Sequence, residues 1–276
     1  MKTKTRKRIK IKGFLNLCVL IFSLIMNLIT NVLDLLYLLW RNKSLNKFFV
    51  KNSNVFVILN KPLKKYLLFI DTETTAIPKR WDVPYSETDN WPSAVQVSWI
   101  LYAENGREIK RENFYIDAED LKISASSFRV HGITKEFLSR NGKGRKFVLQ
   151  KLSEDIQQYY PLITGHFTEF DIHTLSCDFY RAGLENPFIQ SHFYCTMLKS
   201  KDYILNPEAD YFRLPQLYNF LFNEKMERSH DAMIDAEMTA KCFFEIRSRG
   251  EISENELHKI HHEIESKLKF LTDKMK

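Results

Sequence analysis

Asp71 and Glu73 stand one residue apart at the end of an apolar run in "LLFIDTETTA", Leu67 to Ala76. Such a run reads as a strand at the centre of a sheet, and alternate residues of a strand project to one side. Two carboxylates taken out of water are costly unless a cation compensates them. The oddity recurs twice. In "GHFTEFDIHTL", Asp171 follows a predicted strand and opens a helix. In "HDAMIDAEMTAKCFF", Asp231 and Asp235 are four residues apart and share a predicted helix face, with His230 alongside. Taken singly, an acid at a helix start is ordinary electrostatics. Together, acids at a strand end, a helix start and a helix face can converge above one sheet edge. Carboxylates so gathered repel each other unless divalent cations neutralise them, and oxygen ligands favour Mg²⁺ or Mn²⁺ over zinc. Two such ions about 4 Å apart clamp the attacking and leaving oxygens of a phosphoryl displacement. Histidine titrates near neutrality and can take a proton from the attacking water.

These segments, "FIDTETT", "GHFTEFD" and "HDAMIDA", resemble in order the three motifs of the DEDDh exonuclease family, which includes the proofreading subunit of bacterial DNA polymerase III and ribonuclease T. The resemblance covers about Tyr66 to Arg249, and "ISASSFRVHGIT" (Ile123 to Thr134) is similar to the family's stretch before its first helix. It implies a ribonuclease H-like mixed sheet flanked by helices, and 3′→5′ release of nucleoside 5′-monophosphates with two Mg²⁺ or Mn²⁺ ions. It assigns Asp71, Glu73, Asp171 and Asp235 as metal ligands and His230 as general base. It also places Thr74, Ala76, Ile77, His131 and Phe167 near the substrate. Two residues depart from the family pattern: Ala76 stands where Gly is common, and Phe167 where His-Asn usually continues. Asp231 is assigned a helix-supporting role. DNA is slightly favoured over RNA, although no residue announces a contact to the 2′-position. A polymerase partner is conceivable from the family, but no binding segment stands out in 251–276.

The elements that would position these residues alternate. Strands are predicted at "YLLFIDTET", Ser93 to Glu104, Ile109 to Ala118, Leu162 to Phe167 and "HFYCTM". Helices are predicted over Lys146 to Tyr160, over "FDIHTLSCDFYRAGL", "LPQLYNFLF", and His230 to Arg249. That order makes an α/β sheet with helices packed on it. The long loop "AIPKRWDVPYSETDNWPS" carries Trp81, Tyr85 and Trp91, which either pack the loop down or stack on bases.

The flanks divide the chain into a basic start and membrane-associating helix (1–40), a connector (41–65), the exonuclease domain (66–250) and a helical tail (251–276). Phe14 to Leu33 is uncharged over a length that would span a membrane of ~30 Å. Asn16, Ser23, Asn27, Thr30, Asn31 and Asp34 nevertheless share one helical stripe. The segment can therefore lie in the lipid surface, span with its stripe against a partner helix, or pack on protein. Flat binding keeps the domain in the cytoplasm, at the inner face of the membrane. Seven of the 41 Lys and Arg fall in the first twelve residues, and the 34 that follow balance 34 acids. The net charge of +7 is thus no global field for polyanions. Cys18, Cys177, Cys195 and Cys242 fit no zinc spacing and read as reduced thiols. In the tail, Leu257, Ile260, Ile264, Leu268 and Leu271 form one face for packing on the domain, and His258, His261 and His262 read as a solvated face rather than a metal pair. Two readings compete with catalysis: a non-catalytic nucleic-acid-binding module and a membrane-tethering assembly module. Retention of all four acids and the histidine argues against the first, and the N-terminal helix motivates the second.

Overall fold

The computed structural model describes residues 65–204, 210–227 and 230–273. The predicted N-terminal helix and the connector up to residue 64 lie outside the described residues. Among the described residues, no helix is long and apolar enough to cross a membrane.

Three strands, β1 (Tyr66–Thr74), β2 (Ala94–Ala103) and β3 (Glu108–Asp117), run antiparallel in sequence. Two-residue β4 (Lys143–Gly144), β5 (Leu162–Gly165) and β6 (His192–Cys195) complete a mixed six-stranded sheet of order β4-β3-β2-β1-β5-β6. β5 runs parallel to both β1 and β6. Leu67, Leu68, Phe69 and Ile70 of β1 are all fully buried. A strand covered on both faces needs such an unbroken apolar run rather than alternation. The mixed sheet with flanking helices is the ribonuclease H-like α/β fold that the sequence implies.

Side-chain alternation along β1 decides which layer each residue meets. Phe69 packs on Phe243 of α7 (Ala232–Ser248), with ring centroids 5.4 Å apart. Its neighbour Ile70 pairs with Trp99, whose indole donates to Asp155 of α3 (Arg145–Tyr159) at 2.8 Å on the opposite face. Asp71 and Glu73 follow Phe69 in phase, so they emerge on the α7 side. On the other side, α4 (Thr168–Arg181) packs Ile172, Leu175 and Phe179 into the same core.

Several boundaries differ from expectation. The segment before α3 folds into two short helices, α1 (Ala125–His131) and α2 (Lys135–Asn141). Their N-caps, Ser124 and Thr134, accept from the backbone of Ser127 and Phe137, which stabilises turns too short to show helical periodicity. β5 stops at Gly165 instead of Phe167, because Phe167 turns into the left-handed region at φ 79°. β6 gives way at Thr196 to α5 (Thr196–Ser200). Asp231 does not share a helix face with Asp235: it is the N-cap of α7 and accepts from the amides of Met233 and Ile234. "LPQLYNFLF" forms α6 (Leu214–Phe222) as expected.

The tail forms α8 (Glu254–Asp273), whose Ile260, Ile264 and Leu268 enter the main core. His261 Nδ1 accepts the Phe193 amide of β6 at 3.4 Å, and its ring stacks on His192. The three described cysteines, Cys177, Cys195 and Cys242, are buried and unpaired.

Candidate active site

The C-terminal end of β1 opens into a cleft of about 620 Å³. Asp71, Glu73 and Asp235 line it, together with His230, His131, His166, Phe167, Thr74, Ala76 and Ile77. Asp171, in the first turn of α4, reaches the same place from the other side of β1 and accepts a 2.7 Å hydrogen bond from Thr72 Oγ1. One ligand atom from each of Glu73, His230 and Asp235 lies within 4.8 Å of the others. All five residues expected to do chemistry therefore meet at one end of the sheet.

Their electrostatics are strained. Burial pushes Asp71 well above the usual carboxylate range, and Asp171, Asp235 and Glu73 push it further. Glu73 is raised to about 8 by burial, then by Asp235 and Asp171. Asp171 is raised to about 7 by burial, partly offset by its bond from Thr72. Asp235 is raised to about 6 by burial, against the His230 amide, which donates to its Oδ2 at 3.1 Å. Its other oxygen, Oδ1, is buried with no described hydrogen-bond partner. A buried carboxylate oxygen left without a donor calls for a positive charge. The donor set fits divalent metal: clustered oxygens that burial and mutual repulsion keep from ionising alone.

These shifts set a pH dependence for the metal-free protein. The folded values exceed the ordinary carboxylate values, so the folded state binds protons more tightly than the unfolded chain. The resulting stability is full below about pH 4 and is lost as pH rises through the folded values. Buried His166 and His173, lowered to about 4 and about 3, act oppositely below about pH 6.5. Between about pH 6.5 and 8.5 the acids dominate. The metal-free protein is expected to melt at lower temperature as pH climbs through that window. Saturating Mg²⁺ should flatten the slope, and so should Glu73→Gln. A metal-free melting temperature constant or rising across the window would refute the assignment.

The expected substrate-side residues have distinct surroundings. Ile77 is 78% exposed at the rim, and Ala76 is half-buried beside it. Thr74 Oγ1 donates to the Ala76 carbonyl at 2.7 Å, closing the turn after β1. His131 accepts the Ile133 amide at Nδ1 and donates through Nε2 to the Thr74 carbonyl. Both of its ring nitrogens thus hold the floor of the cleft. His166 donates through Nε2 to the Phe212 carbonyl and pairs through Nδ1 with Thr196.

One positioning residue escaped the sequence reading. Gln96, opposite Glu73 in β2, is 1% exposed. Its Oε1 accepts the Ala232 amide, and its Nε2 reaches Asn113 and, at 3.5 Å, Asp231. It ties the start of α7, and hence Asp235, to the sheet. The signal was present: a lone amide inside the apolar run "AVQVSW" must find partners when buried. In the long loop, Tyr85 and Trp91 are buried, while Trp81 stays 40% exposed beside Phe167.

Acids gathered at the end of the central strand of a ribonuclease H-like sheet define a nuclease-type site. Residues 68–243 match the RNase_T model, described as exonuclease, and the chain belongs to that exonuclease family. No curated protein matches it significantly by sequence. Among solved structures, it is similar to E. coli Exonuclease I in complex with a dT13 oligonucleotide: 20% identity, TM-score 0.55, 67% of this chain and 41% of that one. The zinc-bound Exonuclease I–ssDNA complex matches at 20% identity and TM-score 0.56, over 70% of this chain and 42% of that one. A product-bound form of exonuclease I gives 20% and 0.52, over 67% and 44%. The matched region is thus about two fifths of those chains, and at this identity the likeness concerns the fold.

Proposed function

We propose that the domain is a metal-dependent 3′→5′ exonuclease that releases nucleoside 5′-monophosphates from nucleic acid, DNA somewhat ahead of RNA. The supporting observation is the meeting of Asp71, Glu73, Asp235 and His230 at one cleft, with Asp171 bonded to Thr72 of its lining and Asp235 Oδ1 buried without a hydrogen-bond partner among the described residues. Asp71, Glu73, Asp171 and Asp235 would hold two Mg²⁺ or Mn²⁺ ions. When bound, the ions supply charge that offsets the acids and stabilises the phosphoryl transition state. His230, exposed at the cleft mouth, accepts the proton of the attacking water. The His230 amide bond to Asp235 fixes base and ligand relative to each other. Thr72 orients Asp171, and Gln96 with Asp231 fixes the start of α7. Thr74, Ala76, Ile77 and His131 shape the floor and rim on which the 3′-terminal nucleotide rests.

The test uses 5′-labelled single-stranded DNA, duplex DNA and RNA with Mg²⁺, Mn²⁺ or chelator. A ladder shortening from the 3′ end, with mononucleotide product and chelator sensitivity, is the expected result. Internal cuts, or hydrolysis that ignores chelator, would overturn it. Residues 1–40 are proposed to hold the domain at the inner membrane face through lipid, not to take part in catalysis. A chain beginning at Asn52 should be soluble with unchanged metal dependence, while the full chain sediments with membranes. Loss of hydrolysis on truncation would refute that separation.

A further inference from the structure

We propose that the Arg213 guanidinium holds a backbone phosphate of the bound strand, upstream of the scissile bond. The proposal rests on the exonuclease reading above.

The first observation concerns charge. Four ionised carboxylates and two divalent ions cancel, so a loaded centre is formally neutral and offers the rest of a polyanionic strand no attraction. The chain after Lys12 is balanced too, with 34 basic and 34 acidic residues, so no global field makes up the difference. Among the described residues that line the cleft, Arg213 is the one lysine or arginine. It is exposed, and its guanidinium forms no ion pair among the described residues. Arg145, Arg181, Arg247 and Arg249, by contrast, engage carboxylates of the fold itself. A guanidinium stays charged at any working pH and matches two phosphate oxygens at once.

The second observation is how firmly the Arg213 backbone is placed, just before α6. Its amide donates to Gln216 Oε1 at 2.8 Å, and its carbonyl accepts the amides of Gln216 and Leu217. One residue earlier, the Phe212 amide donates to Ser200 Oγ at 2.9 Å, and the Phe212 carbonyl accepts from His166 Nε2 at 3.0 Å. Leu214, Leu217 and Leu221 of α6 pack with Cys242 and Ile246 of α7, the helix that carries Asp235. Arg213 thus has a root fixed relative to the acids and a free charged end.

The third observation is direction. Phe212 and Pro215, before and after Arg213, also line a second hollow of about 550 Å³ that includes Gln216, Asn219 and Lys225. The cleft therefore continues past Arg213, and no acid lines that continuation among the described residues. The continuation past Ala76 and Ile77, of about 480 Å³, sets Asp89 and Asp120 against Lys79 and Lys122. Charge favours the first route for the strand behind the 3′ end, and Arg213 stands at its start.

The test compares the full chain with Arg213→Gln and Arg213→Lys, with folding checked by circular dichroism. Binding of a labelled single-stranded oligonucleotide is followed by anisotropy in Ca²⁺ over a range of salt. One uncharged methylphosphonate linkage is moved stepwise from the 3′ end. Arg213→Gln should weaken Kd by about five- to fiftyfold at low salt, the loss of one charge-assisted contact. Its slope of log Kd against log salt should fall by about 0.7, the value for one phosphate of a single strand. Arg213→Lys should keep the parent's slope but bind more weakly, since an ammonium lacks the planar fork. One linkage upstream of the last should weaken the parent but not Arg213→Gln. A parental slope in folded Arg213→Gln, or equal linkage penalties in both proteins, would overturn the anchor alone. So would a parent indifferent to every upstream linkage, a result that needs no variant. A coupling confined to the 3′-terminal linkage would place Arg213 at the reacting phosphate and overturn the upstream assignment. Failure of the parent to bind any oligonucleotide would overturn the exonuclease reading with it.

Discussion

Asp235→Asn is expected to remove nearly all metal-dependent hydrolysis, with turnover falling by at least about 10²–10³-fold, the scale for losing one preorganised electrostatic partner. Asp235 has one oxygen engaged by the His230 amide and the other buried without a hydrogen-bond partner among the described residues. The amide side chain keeps an acceptor for the His230 N–H but gives up the charge that would hold the metal. The metal-free variant should melt at or above the temperature of the parent at pH 8, because repulsion with Asp71 and Glu73 is relieved. Asp71→Ala should lose activity in the same way. The pairing of lost activity with undiminished stability is the informative part, since a misfolded variant would lose both. Substantial Mg²⁺-dependent hydrolysis by either variant would sink the metal-ligand assignment.

His230→Ala is expected to lower turnover by ~10²–10⁴-fold, as for removal of a general acid–base group. His230 adopts φ 68°, a backbone region in which His is more at ease than most residues, and its ring is close to Glu73 and Asp235. That proximity makes direct metal ligation the competing role. A Mg²⁺ titration separates the two. A base leaves the half-saturating Mg²⁺ concentration near the parent value while the maximal rate falls. A ligand raises that concentration sharply and recovers rate at high Mg²⁺. An unchanged rate when chemistry is limiting would remove His230 from the reaction.

Much of this site was legible because its chemistry imposes residue types that packing alone would not choose. Asp71 and Glu73 interrupt an apolar strand, and that interruption is visible without coordinates. Asp171 and Asp235 became legible only as members of ordered motifs, since each alone resembles ordinary helix-end electrostatics. The strands read well where burial on both faces demanded unbroken apolar runs, as in β1. The short helices α1 and α2 were not legible, because their seven residues each are held by caps rather than by periodic burial. The left-handed turn at Phe167 was hidden for a different reason. Nothing in a phenylalanine announces the strain that Gly165 and Thr168 impose on it. Asp231 was read as supporting its helix and does cap α7, but its capping geometry depends on an accurate helix start, the least certain boundary to read from sequence.

The position of α8 bears on what one edge of the sheet presents to its surroundings. Among the described residues, β6 is the outermost strand on its side of the sheet, and its outer edge would present unpaired amides to any passing strand. His261 accepts one of those amides, from Phe193, and the apolar face of α8 covers the neighbouring core. Farther along, Leu271 packs with Val83, Tyr85 and Trp91 of the long loop. The family match stops at residue 243, so a designer trimming the protein to the matched domain would cut this helix away. Such a trimmed protein would bare both a sticky strand edge and the underside of the loop. Its failure would take the form of aggregation in the test tube, easily mistaken for a missing activity.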